Sequence, residues 1–302
     1  MPKEITHWLL AERALEALPE GSRLRRLITG HKSAYLGGAV LPDTLAHIFR
    51  GPFHPAAREL GQRFHDPHGN SYAPLIGAER SYPNGLPPEL FSCLLGVISH
   101  VEADIALHPY VYAATGQAGI GEHYRIETAI DVHFLRTAAP GTQRRLDRLL
   151  CPATRKVMAS AAAQLFDPEG TLPSAAHERA VELHCRFQAM YDRLLWKIAV
   201  RLLARIMGSP YREQRHLFYP LRGRWGAGKL PAAAGSWRHP ENGESKKTGI
   251  DELAREAVER MVRVFGRIEK AGNLAAALAS PPGANLLTGL HGVTKYGSKG
   301  KR

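Results

Sequence analysis

Cysteine is scarce. The three present, Cys93, Cys151 and Cys185, are far apart and form no CxxC pair, so there is neither a disulfide framework nor a thiolate zinc site, and the count fits a reducing compartment. Long apolar runs are also missing, since no stretch approaches the roughly 18 apolar residues of a membrane span. The N-terminal "MPKEITHWLLAERALEALPEG" carries Glu4, Glu12, Arg13 and Glu16. A secretory leader would have an unbroken apolar core there and a small-residue cleavage site. A soluble, cytoplasmic protein is expected. Acidic residues are in deficit, 28 against 40 Lys and Arg, for a formal charge of +12. Such a balance favours polyanions (nucleic acid, phosphate esters or an anionic lipid surface) without choosing among them. Internal repeats and the alternation of half-buried strands are absent as well, which leaves an all-α protein.

Helical periodicity runs through most of the 302 residues. A first amphipathic helix is expected over about 4–18. A Gly-Gly and a Pro in "SAYLGGAVLPDTLAHIFRG" break the next near Leu41 to Asp43. Residues 50–88, rich in Pro, Gly, His and Tyr, read as loop with short helices. The segment after Pro87 and Pro88 is the most buried in character, with Pro109 as its expected end. Another helix follows in "GEHYRIETAIDVHFLRTA", then others at about 142–150, 153–166, 174–207 and 211–218. The chain divides into a helical domain over 1–222, a Gly/Pro-rich loop or linker over 223–249, an amphipathic helix over 250–279 and a basic, disordered tail over 280–302.

Histidine is what the sequence has in unusual supply. There are 15, and ten of them lie at or before His133. "SHVEADIALHPYV" places His100, Asp104 and His108 at steps of four among apolar residues, and "EHYRIETAID" does the same with His123, Glu127 and Asp131. Steps of four drift only about 40° around a helix, so each trio shares one face. A short connection with Gly116 and Gly119 favours antiparallel packing of the two helices. Ionised carboxylates are costly beside apolar residues unless a cation compensates them, and imidazole with carboxylate suits zinc and similar divalent metals. Further candidates are His7 in the first helix, Asp43 in "GAVLPDTL", and His65, Asp66 and His68 in "RFHDPHGN".

"ITH", "GGAVLPD", "FHDP", "ISHVEADIALHPYV" and "HYRIETAID" occur in the order seen in the zinc-dependent phospholipase C family, which the chain resembles over roughly residues 4–135, with weaker helical similarity to about 220. That family includes bacterial phosphatidylcholine-hydrolysing phospholipase C. It shares its metal-site pattern with the N-terminal domain of glycosylphosphatidylinositol-specific phospholipase D, and its fold and metal cluster with single-strand-specific fungal-type nucleases. The resemblance implies a phospholipase C/nuclease-like helical bundle with a multinuclear site for two or three zinc ions. One zinc would be held at Asp43, His65, His100 and Asp104, a second at His108, His123 and Glu127, and a third at His7 with Asp104 shared. Asp131 falls outside that set and is expected to support it. Two departures stand out. The secreted enzymes use an N-terminal Trp as a ligand to the third metal, whereas here six residues precede His7 and Trp8 follows it. The gap from Asp104 to His108 is also two residues shorter than in the secreted phospholipase.

The resemblance implies hydrolysis of a phosphodiester, with a phospholipid head group as the leading substrate class, two metals activating a water against phosphorus, and Asp43 as the base. Arg125, Lys32, Tyr72, Tyr110 and Tyr124 are candidates for phosphate contact or for the pocket wall. A nuclease or nucleotidase on the same scaffold is the second reading, favoured by charge but lacking a visible aromatic-and-basic array. A non-catalytic, metal-stabilised binding protein is the third, with the basic helix 250–279 and "KYGSKGKR" as contacts to nucleic acid or an anionic membrane. Oligomeric state has no signature in the sequence.

Overall fold

A 28-residue helix, α6 (Pro88–Thr115), forms the axis of the computed structural model, in which residues 3–116, 118–138, 145–220 and 236–295 are described. Among these residues it is the one helix long and apolar enough to cross a membrane, with a mean hydropathy of 1.6 over its best window, and 94% of that window is buried within the protein. Five earlier α-helices precede it: α1 (Glu4–Ala17), α2 (Arg23–Gly30), α3 (Lys32–Gly38), α4 (His54–His65) and α5 (Ala73–Arg80), with a 3-10 helix at Leu41–His47 between α3 and α4. After it come α7 (Ile120–Thr137), α8 (Leu146–Leu149), α9 (Pro152–Phe166), α10 (Ser174–Met190), α11 (Leu194–Ile206) and α12 (Tyr211–Gln214), then α13 (Ile250–Ala271) and α14 (Leu274–Leu278). The fold is all-α, and among the described residues the only strands are a short antiparallel ribbon, β1 (Trp237–Arg238) with β2 (Ser245–Lys246).

Two glycines let α3 and α6 meet backbone to backbone. A Cβ on Gly38 would stand 2.0 Å from the Cys93 carbonyl oxygen, and one on Gly96 would stand 2.0 Å from that of Tyr35. No other residue permits this approach. It brings the Ala39 carbonyl, just past α3, to 2.9 Å from His100 Nδ1. On the other side of α6, α13 buries Leu253, Ala257, Met261, Val264, Phe265 and Ile268, a spacing of three and four that is one helical face. Phe265 meets Tyr35 of α3 edge-on at 6.3 Å between centroids. Arg260 Nε donates to Glu102 Oε2 of α6 at 2.7 Å, and the Tyr72 hydroxyl donates to Glu102 Oε1.

Several expectations are corrected. Pro109 does not end α6. The helix runs six residues further to Thr115, because Pro removes only one N–H and both neighbours, His108 and Tyr110, remain buried in the core. The helix expected over 174–207 is two, broken at Tyr191–Arg193, where Arg193 is extended. The basic tail expected over 280–302 is packed in its described part, with Ala284, Asn285, Leu286, Leu287 and Thr288 buried. Asp66 fastens it, accepting from Asn285 Nδ2 at 2.7 Å and from the Lys295 backbone N–H at 2.9 Å. Helix α13 buries one face in the core, as an amphipathic helix should, and leaves Arg255 and Arg263 exposed on the other. Of the linker expected over 223–249, residues 223–235 lie outside the described residues and 237–246 form the ribbon.

Candidate metal centre

Five elements converge on the middle of α6. From α6 itself, His100, Asp104 and His108 are fully buried on one stripe. Helix α1 brings His7, whose Nε2 lies 3.5 Å from Asp104 Oδ1 and whose ring stacks on His100 with centroids 4.0 Å apart. The 3-10 helix brings Asp43, and the last residue of α4 is His65, whose Nε2 is 3.3 Å from Asp43 Oδ1 and 4.0 Å from Asp104 Oδ2. His100 Nε2 stands 3.1 Å from Asp104 Oδ2 and 3.8 Å from Asp43 Oδ1. Helix α7 adds His123, with Nε2 2.7 Å from Glu127 Oε1 one turn on. All eight residues named from the sequence are brought together, in three sets with donor atoms within 4.8 Å of one another: His7, Asp43 and His100; His65, His100 and Asp104; and His108, His123 and Glu127.

The histidines are aimed. His65, His100 and His108 each have Nδ1 at 2.8 to 2.9 Å from a backbone carbonyl, those of Gly61, Ala39 and Leu286. The Nδ1–H donates to the carbonyl, which leaves the Nε2 lone pair directed into the centre. The Nε2 atoms of His7, His65, His100 and His108, both oxygens of Asp104 and Oδ1 of Asp43 are buried with no hydrogen-bond partner. So many orphaned acceptors in one place are costly in a metal-free protein and are the coordination set a divalent cation needs. The residues present therefore fit zinc, with nitrogen and oxygen donors only.

The electrostatics agree. Burial would raise the carboxyl of Asp104, but His108 and His100 beside it hold it well below the ordinary carboxylate range. Burial likewise opposes the ionisation of Asp43, and His100 and His65 overcome it. Burial lowers His7 and His108 to about 3, and lowers His123 as well. Ionised carboxylates beside neutral imidazoles are the protonation states a metal requires. His100 is raised, because Asp104 and Asp43 outweigh its burial.

The remaining sequence candidates do other things. Asp131 accepts from the Thr6 N–H at 2.8 Å, from the Thr6 hydroxyl at 2.5 Å and from the Tyr219 hydroxyl at 2.6 Å, so it ties α7 to α1 beside His7. Trp8 is buried and donates from Nε1 to the Leu36 carbonyl. Lys32 pairs with Glu12 on the surface, Arg125 with Glu122, and Tyr72 with Glu102. Tyr110 packs edge-on against Trp237. His68 is exposed, and Asp66 holds the C-terminal segment. A further group, Glu4, His47 and His184, was not singled out by sequence reasoning. Its members share no spacing, and the one visible sign was His47, four residues after Asp43.

With this geometry in place, a model of the zinc-dependent phospholipase C family matches residues 6–166, more than half of the chain. The chain belongs to that family. The match spans α1 to α9 and so takes in every residue of the three sets. A search of curated proteins and of solved structures found no match. Membership supports a metal-dependent, phospholipid-hydrolysing role, and the buried His, Asp and Glu sets are compatible with zinc.

Proposed function

We propose that the chain is a zinc-dependent phosphodiesterase of the phospholipase C type, with Asp43, His65, His100 and Asp104 as one ligand group, His108, His123 and Glu127 as a second, and His7 completing a third around Asp104. The observation that carries this reading is the cluster of orphaned Nε2 and carboxylate atoms around Asp104. Bound zinc would offset phosphate charge and make a water more acidic. Access divides the work among the residues. The side chains of His100, Asp104 and His108 have no exposure, whereas those of Asp43 and His123 keep 11% and 10%. Asp104 therefore holds ions, while Asp43 is the ionised carboxylate that can take a proton from the attacking water and return it to the glycerol oxygen as the phosphorus–oxygen bond to the glycerol breaks.

A lipid surface is favoured over nucleic acid by α11. Only Lys197, Val200 and Ala204 of this helix are buried, while Leu194, Leu195, Ile198, Leu202 and Ile206 are 45 to 80% exposed and Trp196 is 40% exposed. An apolar face on a surface helix flanked by cations is the form of an interfacial membrane contact. Arg201 and Arg205 of the same helix line a cavity of about 480 Å³ with Arg125, Arg215, His216 and Phe218, a setting suited to phosphate. Nucleic acid would call for aromatic faces alternating with cations, and α11 offers a single Trp among aliphatic side chains.

The test is release of phosphorylated head group from mixed vesicles of phosphatidylcholine and phosphatidylglycerol, compared with cleavage of single-stranded DNA, before and after chelation and zinc restoration. Head-group release that EDTA abolishes and zinc restores is expected. Cleavage of DNA alone would move the assignment to a nuclease. In Asp104→Ala, zinc content should fall sharply, and activity should fall by more than the roughly 10–100-fold that losing a supporting partner costs a metal site.

A further inference from the structure

Glu4, His47 and His184 stand apart from the three sets around Asp104, and their donor atoms lie within 4.8 Å of one another. They come from α1, the 3-10 helix and α10. Each imidazole has its Nδ1 engaged. His47 Nδ1 is 3.2 Å from the Asp43 carbonyl oxygen. His184 Nδ1 is 3.1 Å from Thr44 Oγ1, whose own proton is directed at the Val40 carbonyl. Both rings are therefore fixed with Nε2 as the remaining lone pair. His184 Nε2 points at Glu4, 3.4 Å from Oε1, and both that nitrogen and Glu4 Oε2 are buried without a hydrogen-bond partner.

His47 repeats the construction seen around Asp104, where Nδ1 atoms rest on backbone carbonyls, and His184 replaces the carbonyl with a hydroxyl while its Nε2 meets a buried carboxylate. The rings of His47 and His184 stack at 4.0 Å, as those of His7 and His100 do. We propose that Glu4, His47 and His184 form an additional site for a divalent cation of the zinc class. Two imidazoles and one carboxylate leave one coordination position for water or a small ligand, and half-buried His47 is the side from which it is reached.

The site shares its supports with the main centre. Glu4 and His7 are three residues apart on α1, and Asp43 and His47 are four apart on the 3-10 helix. A cation here locks those two elements to α10, in the positions that also present His7 and Asp43 to the main centre.

The experiment is zinc content per chain by mass spectrometry, after loading the full-length protein with excess zinc and desalting. Wild type, Asp104→Ala, His47→Ala and the combined Asp104→Ala/His47→Ala variant are compared, with circular dichroism as the check on folding. The expected result is a loss of about one equivalent in His47→Ala relative to wild type, matching a single additional ion, and a similar loss when His47→Ala is added to Asp104→Ala. The second comparison separates this site from an indirect disturbance of the main centre. Glu4→Gln, nearly the same shape, is the second variant and carries the same expectation should His47→Ala not fold. Wild-type zinc content in either folded variant overturns the proposal. In that case Glu4 and His184 are a buried polar contact and nothing more.

Discussion

Helix α6 has the length and hydropathy of a membrane span and is buried, whereas α11 has half its length and turns most of its apolar side chains to water. The difference shows which residues call for explanation in each. Inside α6, apolar residues are satisfied by packing, and the polar ones carry the question. His100, Asp104 and His108 have the buried donor set that suits a cation, and Glu102 is answered by Arg260 and Tyr72. On α11 it is the apolar residues that carry the question, since Leu194, Leu195, Ile198, Leu202 and Ile206 are exposed in the described structure. What needs explaining in the first helix is buried charge, and in the second exposed apolar surface.

The contrast breaks most severely at Glu102. Glu102→Ala leaves Arg260, about a quarter exposed, without its carboxylate and the Tyr72 hydroxyl without its acceptor, at the junction of α6 and α13. Breaking a buried pair from one side costs about 3–5 kcal/mol, and partial solvation of Arg260 places this one at the low end. Urea denaturation would measure it. A change under about 1 kcal/mol would mean that α6 does not depend on this pair. Next is Gly96→Ala, which sets a Cβ against the Tyr35 carbonyl where no flexible side chain can give way. Separating α3 from α6 should cost about 3 kcal/mol, the upper range for overpacking, and should also withdraw the Ala39 carbonyl from His100. Zinc affinity is then expected to fall along with stability. A drop in stability alone would show that His100 holds its orientation without that carbonyl.

How much of this was legible in the sequence follows from what kind of atom does the work. His100, Asp104 and His108, and His123 and Glu127, are visible because a helix repeats nearly every four residues, so local spacing encodes a shared face. His7, Asp43 and His65 become visible only through the order of short motifs. Glu4, His47 and His184 span 180 residues with no spacing to mark them. The acceptors that aim the histidines are backbone carbonyls of Gly61, Ala39 and Leu286, to which no residue type is a guide. The same reason hid the role of the C-terminal segment. Its Gly, Pro and Lys read as a tail, yet Leu286 contributes a carbonyl and Asp66 collects it from 219 residues away in the chain. The exposed face of α11 was concealed because 174–207 shows one continuous helical pattern, whose buried and exposed sides only the break at Tyr191–Arg193 reassigns.

Between the two helices in expected effect is Asp131 on α7. Burial raises its carboxyl to about 6, despite opposing help from Lys3. A folded pKa above the unfolded value means that the native state binds the proton more tightly, so this group favours folding at low pH. That contribution is lost as pH rises from about 4 through 6, by roughly 2–3 kcal/mol in total at about 1.4 kcal/mol per unit. Asp131→Asn removes the titration, so the variant should gain on wild type across that window and hold a constant difference above it. Urea midpoints measured from pH 4 to 8 with excess chelator would show this. Parallel curves for the two proteins would mean that the hydroxyls of Thr6 and Tyr219 stabilise the carboxylate fully.

The smallest effect on stability should come from α11, where the contrast with α6 is sharpest. Leu195 and Ile206 are 74 and 80% exposed, so replacing both by Asp removes almost no packing. Surface changes of this kind stay within about 0.5 kcal/mol each. Binding to vesicles containing phosphatidylglycerol should nevertheless fall strongly, because each substitution loses apolar burial in the bilayer and adds a charge of the wrong sign. Zinc content should be unchanged, since neither residue touches the sets around Asp104. Unaltered stability with lost vesicle binding would assign the apolar face of α11 to a lipid surface. A loss of several kcal/mol would instead show that another part of the chain covers that face, and would make α11 an element of the core like α6.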